Sequence, residues 1–266
     1  MEAERTVLVV GATGKQGRST VKYLLETDQS ASLSIRFKVL GLTRDTSSES
    51  ARQLLERDKQ HVDHFSLVQG DLHKPDSIRK VFENAALSDG GGIWGVFVVL
   101  AYPGLGESAR GEIKQAKLLA DLALEFKVEV FVYSSAIPVG PSEDDHLDNS
   151  HRAKPRIENY CRELGSKGLN WIIIRPGFFM ENFDGFLGAI AVSGLRAGLD
   201  RDTTINLVAS EDIGRVAAGV LMSEIDLARS VCKLQTYYEW AFKGKDGSTD
   251  KNWNKISLVK LVTGRS

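Results

Sequence analysis

The chain has 266 residues, 42% apolar and 26% charged, a balance that excludes a disordered or fibrous protein. Its formal net charge of −1 provides no overall field for nucleic acid or an anionic membrane surface. Two cysteines, Cys161 and Cys232, are too few for a disulfide framework and read as buried thiols.

The N-terminus runs from charged residues straight into an apolar run, without the apolar segment and cleavage site of a secretion signal. No later run approaches the ~20 residues of a transmembrane helix, so a cytosolic or nuclear location and no membrane contact are expected.

The first apolar run, 7–10, ends in Gly11-x-x-Gly14-x-x-Gly17, after which Val21, Leu24 and Leu25 recur at helical spacing. Strand, glycine turn and helix in this order form a dinucleotide-binding motif. Gly11 permits the tight turn, Gly14 lets the backbone approach a pyrophosphate, and Gly17 lets helix pack closely on strand. Thr13, Lys15 and Gln16 share this loop, and the helix N-terminus turns N–H groups and a positive dipole end toward phosphate.

The second run, 37–42, leads into Thr43 and Arg44. An NAD site usually carries a carboxylate here for the ribose 2′-hydroxyl, whereas an arginine accommodates a 2′-phosphate. Arg44 together with Lys15 points to NADP(H); solvated side chains are the alternative, and Asp45 next in line weighs against the choice. After the third run, 65–68, Asp71 either caps a helix or accepts from an adenine amino group.

Further runs at 96–100, 128–133 and 171–174 are rich in Val, Ile and aromatics, as parallel strands covered on both faces are. Between the fourth and fifth, Ile113, Ala116, Ala120 and Ala123 mark a helix. Strand–helix alternation implies right-handed crossovers and a doubly wound parallel sheet, a Rossmann-type α/β fold. We read 1–266 as one such domain, with 176–266 contributing a small substrate or partner lobe. Segments 88–92 and 140–150 read as loops. From Ser230 the apolar pattern weakens; 242–255 reads as a polar loop and 256–262 as a late strand.

Lys154 shares a helical stripe with Ile157, Cys161 and Leu164, so it faces the sheet and needs an anionic or hydroxyl partner. Glu158, four residues on, is one candidate. Ser134 and Ser135 end the fifth strand as carbonyl-binding serines or as turn formers. His151 is a residue type suited to acid–base work or a solvated loop residue. His61 and His64 lack further ligands for a metal. Phe178, Phe179 and Phe183 read as core rather than cleft wall.

GATGKQG at 11–17, EIKQAKLLADLA at 112–123, FVYSSA at 131–136, KPRIENYCREL at 154–164, RPGFFMEN at 175–182 and SEDIGRVAA at 210–218 resemble, in this order, the NmrA-like proteins of the atypical short-chain dehydrogenase/reductase superfamily. The likeness covers roughly residues 5–225 and leans toward the NADP(H)-sensing redox-regulator branch. It implies an NADP(H)-binding Rossmann domain with a small C-terminal lobe, here shortened or remodelled after Ser223. The contacts it implies are the glycine loop, Arg44, Asp71 and Leu72, Ala101 and Tyr102 after the fourth strand, and Lys154.

Superfamily reductases commonly use Tyr-x-x-x-Lys. Lys154 holds the lysine position, but Ser150 stands where the tyrosine would be. The resemblance therefore implies a redox-sensing module with a regulatory protein partner. The alternative is an NADPH-dependent reductase of a small carbonyl or enone. Lys154, Tyr102, Ser135 or His151 would then supply the chemistry, as isoflavone-reductase-like relatives use a lysine without the tyrosine.

Overall fold

β1 (Ala3–Val10) opens the sheet and α1 (Lys15–Thr27) follows the glycine turn. This computed structural model describes residues 3–27, 35–88, 91–101, 110–137, 153–183, 206–223, 228–234 and 236–237. β2 (Ile35–Thr43), β3 (Phe65–Gln69), β4 (Ile93–Val98), β5 (Val130–Ser134) and β6 (Trp171–Pro176) occupy the remaining expected strand positions, with ends shifted by a few residues.

Between them run α2 (Glu49–Arg57), α3 (Pro75–Ala86), α4 (Arg110–Glu125) and α5 (Ala153–Gly165). Local chemistry sets their starts. The Ser48 hydroxyl accepts from the Ala51 N–H to cap α2, and Pro75 opens α3, where a missing N–H costs nothing.

The strands lie in the order β3-β2-β1-β4-β5-β6, all parallel, and β9 (Ser230–Leu234) adds a seventh parallel strand beside β6. This doubly wound order reverses direction between β1 and β4, where such sheets open a crevice at their C-terminal edge. One face packs on α3, α4 and α5, through residues such as Ile78, Phe82, Leu119 and Ile157. The other packs on α1, α2 and α6 (Ser210–Met222), through Val21, Leu24, Leu54, Ile213 and Leu221. Each fully buried aliphatic side chain in these layers contributes about 1.5–3 kcal/mol. Cys161 belongs to the first face and Cys232 to the second, both buried and free, so the sheet itself separates the thiols.

The tail departs from expectation. The weakening pattern after Ser230 conceals β9, whose sequence SVCKL mixes apolar and polar residues and sends Val231 and Cys232 to opposite faces of the sheet. Among the described residues it pairs only with β6, and a strand at the end of the described sheet escapes the need to be apolar throughout. β7 (Phe178–Phe179), β8 (Asn206–Val208) and β10 (Thr236–Tyr237) form a separate small sheet, too short for periodicity to reveal. The expected loops at 140–150 and 242–255 and the late strand at 256–262 lie outside the described residues. No described helix is long and apolar enough to cross a membrane.

Candidate functional site

At the β1–α1 turn each glycine has a distinct steric reason. Gly11 has φ +77°, and a Cβ there would lie 2.6 Å from the Val99 carbonyl oxygen that follows β4. A Cβ on Gly17 would lie 2.1 Å from the Gly11 carbonyl oxygen, so only glycine lets α1 start so close to its strand. Gly14 is exposed, with Gly11 O at 3.3 Å from its would-be Cβ. The first turn of α1 leaves N–H groups without helical partners, as a phosphate site needs.

Beside this turn lies a cleft of about 590 Å³, within the ~300–1,000 Å³ of ordinary ligand sites. Gly11, Thr13, Gly14, Lys15 and Gln16 line it from the glycine loop, and Arg44, Asp71, Leu72 and Ala101 from the ends of three further strands. Sequence reasoning had singled out all nine. Gly17 sits behind the loop, and Lys154 is not in the lining. Tyr102, Ser150 and His151 lie outside the described residues.

Lys15 and Arg44 are exposed and, among the described residues, neither is ion-paired. The carboxylate of Asp45 accepts from the Ser47 N–H at 2.8 Å and hydroxyl at 2.6 Å. These hydrogen bonds, the hydroxyl's first, hold its carboxyl below the usual carboxylate range. Oδ1 of Asp45 is thus engaged in its own turn. The Gln69 side chain donates to the Arg44 carbonyl at 3.1 Å and steadies the backbone there.

Asp71 is not a helix cap: Lys74 stands at that position of α3. The Asp71 carboxylate instead accepts from the His73 N–H at 3.0 Å in a local turn at the cleft wall. Glu158, one candidate partner of Lys154, is not the partner found. Lys154 Nζ stands 2.7 Å from the buried Glu112 carboxylate, donates to the Ser134 carbonyl at 3.3 Å, and lies 5.2 Å from the Tyr133 ring centroid.

Glu158 is claimed by other partners. Arg175 donates to it through Nε at 2.9 Å and also through Nη2, Arg162 pairs at 3.1 Å, and the Ser135 hydroxyl donates at 2.6 Å. Burial pushes the Glu158 carboxyl up, but the bonds from Arg175 and Ser135 and the guanidinium charges outweigh it and leave it below its ordinary value. Ser135 is therefore engaged inside a buried network and does not line the cleft.

Burial and then the Glu112 charge push the Tyr133 phenol far above its ordinary value. Burial takes the Cys161 thiol up to about 12. The expectation that Phe178, Phe179 and Phe183 are core holds in part: Phe179 packs against the core of the α1 face, whereas Phe178 does not. Phe179 also lines the cleft, while Phe178 is exposed and meets Phe183 in a tilted ring pair with centroids 5.4 Å apart.

Several contributors escaped the sequence reading. Arg18 donates to the Thr13 carbonyl at 2.9 Å and the Ser50 carbonyl at 3.0 Å, strapping the glycine loop to α2. Ser210 and Gln115 line the cleft, and the Glu181 carboxylate accepts from the Ser210 N–H at 2.7 Å, at the start of α6. Glu112 shares its stripe with Ala116, Ala120 and Ala123, and a carboxylate on an apolar stripe signals a buried charge with a partner. His61 is buried and His64 half-buried before β3. Among the described residues no three potential metal ligands gather.

The crevice at the topological switch point, the glycine cradle and two cations without an ion-pair partner among the described residues together fit the phosphates of a dinucleotide. Known proteins agree with the architecture. An NADP(H) complex of triphenylmethane reductase from Citrobacter sp. superposes with a TM-score of 0.59 at 19% identity, over 86% of this chain and 70% of that one. Pen from Bacillus thuringiensis gives a TM-score of 0.64 at 16% identity, over 88% and 72%.

The NmrA-like family domain-containing oxidoreductase ptmS of Penicillium ochrochloron is 28% identical over 84% of this chain and 65% of its own length. An NmrA-like family domain-containing protein of Dictyostelium discoideum is 30% identical over 67% and 53%. The chain thus spans less than two thirds of either relative. The model of the NmrA-like family matches residues 3–238, reaching beyond the resemblance read from sequence to take in β9 and β10, and the chain belongs to that family.

Proposed function

We propose that the chain binds NADP(H) across the C-terminal edge of its sheet and acts as a redox-sensing module. The observation that carries the cofactor choice is the exposed Arg44 and Lys15 in the cleft lining, beside an Asp45 carboxylate already held by Ser47. A 2′-phosphate meets two cations there, whereas a bare 2′-hydroxyl would find an Asp45 carboxylate whose Oδ1 is already taken twice by Ser47. The NADP(H) complex of the Citrobacter reductase supports the same choice.

The surroundings of Lys154 support sensing over turnover. The Ser135 hydroxyl is bound to Glu158, and Tyr133 is fully buried with its phenol held protonated. A dinucleotide that favours one conformation shifts the population toward it and alters the surface shown to a regulatory protein. The second reading is an NADPH-dependent reductase of a small carbonyl or enone. It is favoured by Lys154, one of whose N–H donors has no hydrogen-bond acceptor among the described residues, and by relatives named as oxidoreductases.

Calorimetric titration with NADPH and NADH tests the cofactor. Arg44→Ala should weaken NADPH about 10- to 100-fold, the worth of a charge-assisted contact, and leave NADH nearly unchanged; equal losses would sink the NADP assignment. Against a panel of carbonyls and enones the sensor oxidises no NADPH above background. Turnover that Lys154→Ala abolishes would establish the reductase reading instead.

A further inference from the structure

Lys154 is held by a buried partner that the chemistry described so far leaves without a role. Glu112 lies in the first turn of α4, and its side chain is 2% exposed. A carboxylate buried without a counter-charge is costly, and the ammonium of Lys154, at 2.7 Å, supplies that charge. An ammonium has three N–H donors. Glu112 takes one and the Ser134 carbonyl at the end of β5 takes a second. The third has no hydrogen-bond acceptor among the described residues, where Nζ otherwise meets only the Tyr133 ring at 5.2 Å from its centroid, and the lysine side chain is 20% exposed.

The Ser134 hydroxyl donates to Gln16 Oε1 at 2.7 Å, and Gln16 lines the cleft, so the cluster abuts the dinucleotide crevice. Arg44 marks the end of β2, and β5 lies three strands away in the order β2-β1-β4-β5. At ordinary strand spacing that is about 14 Å. Lys154 therefore cannot serve the phosphate that Arg44 meets. It stands where the other half of a dinucleotide laid across the switch point would end.

We propose that Glu112 is a positioning residue: by holding Lys154 against the Ser134 carbonyl, it aims the remaining N–H at a hydroxyl or carbonyl oxygen of the nicotinamide half. The inference rests on the dinucleotide reading above. Glu112 acts through Lys154 and touches no ligand itself.

The experiment compares NADPH with 2′,5′-ADP, which carries the adenosine half and its 2′-phosphate but no nicotinamide ribose. Both are titrated calorimetrically into the wild-type chain, Glu112→Gln, Lys154→Met and the double variant. Each single change should weaken NADPH about tenfold, the scale of one charge-assisted hydrogen bond, and leave 2′,5′-ADP within about twofold. The double variant should bind NADPH as Lys154→Met does, because Glu112 has nothing left to position.

Unchanged NADPH affinity in a folded Glu112→Gln overturns the proposal. So do losses that multiply in the double variant, or equal losses for both probes. Should Glu112→Gln alone fail to fold, the double variant against Lys154→Met decides: equal affinity supports the role and a further loss overturns it. A wild-type chain that takes up 2′,5′-ADP but not NADPH overturns this inference alone. One that takes up neither overturns the dinucleotide reading and this inference with it.

Discussion

Glu158 illustrates how a single buried charge holds the end of the sheet. Its two oxygens accept from Arg175, Arg162 and Ser135, tying α5 to the residues that end β5 and β6. Its carboxyl is held below its ordinary value, so folding favours the ionised form. A depressed carboxyl contributes stability that is fully present above the unfolded-state value, about 4.3 for glutamate, and fades as pH falls through the lower folded-state value. Glu158→Gln should therefore cost about 3 kcal/mol at pH 7, the low end for a broken buried pair, because Arg162 and the partly exposed Arg175 can turn to solvent. Urea melts at pH 7 and in acid measure this: the gap between wild type and variant should shrink as pH drops below the carboxylate range. A gap that is constant or grows in acid would contradict the assignment.

α6 and α1 cross at a glycine, and the same helix carries a second glycine with the opposite expectation. A Cβ on Gly214 would lie 2.3 Å from Ser19 Cβ and 2.6 Å from the Thr20 backbone nitrogen. A Cβ on Gly219 would meet nothing within 4 Å. Gly214→Ala gains about 1 kcal/mol of helix propensity but at so short a contact costs about 3 in overpacking, a net loss of about 2 kcal/mol. Gly219→Ala keeps the gain of about 1 kcal/mol. Thermal melts of the two variants should move in opposite directions, and shifts of one sign would show that the crossing is not set by Gly214. At this scale the sequence was most informative about elements with an unbroken apolar run or a clear stripe. The inner strands β1, β2, β4, β5 and β6 and the helices α1, α4 and α5 were visible because burial forces those patterns, and β3, at the end of the sheet, through its run of Phe65, Leu67 and Val68. The glycine loop was visible because sterics leave no other residue at Gly11 and Gly17. β9 and the two- and three-residue strands were not, since an edge position or a short length relaxes the pattern. The true partners of Lys154 and Glu158 were hidden for another reason: each pairs with a residue far along the chain, and the local i, i+4 rule sees only neighbours.

The fold as a whole joins chain segments that sequence order keeps apart. We read 176–266 as a small lobe on the Rossmann domain, yet α6 covers the same sheet face as α1, and β9 extends the main sheet beside β6. Ser210 at the start of α6 also lines the cleft together with the glycine loop. A chain ended after residue 183 would lose Ile213, Val220 and Leu221 from the core and uncover Val21, Leu24 and Leu25 of α1, all buried in the intact fold. At about 1.5–3 kcal/mol for each such side chain, the loss reaches or exceeds about 10 kcal/mol, the whole stability of an ordinary domain. The truncated chain should show no cooperative thermal transition by circular dichroism and no NADPH binding. If it instead melts cooperatively and binds NADPH, residues 206–237 are a dispensable lobe, and the cleft needs only β1–β6 and their helices.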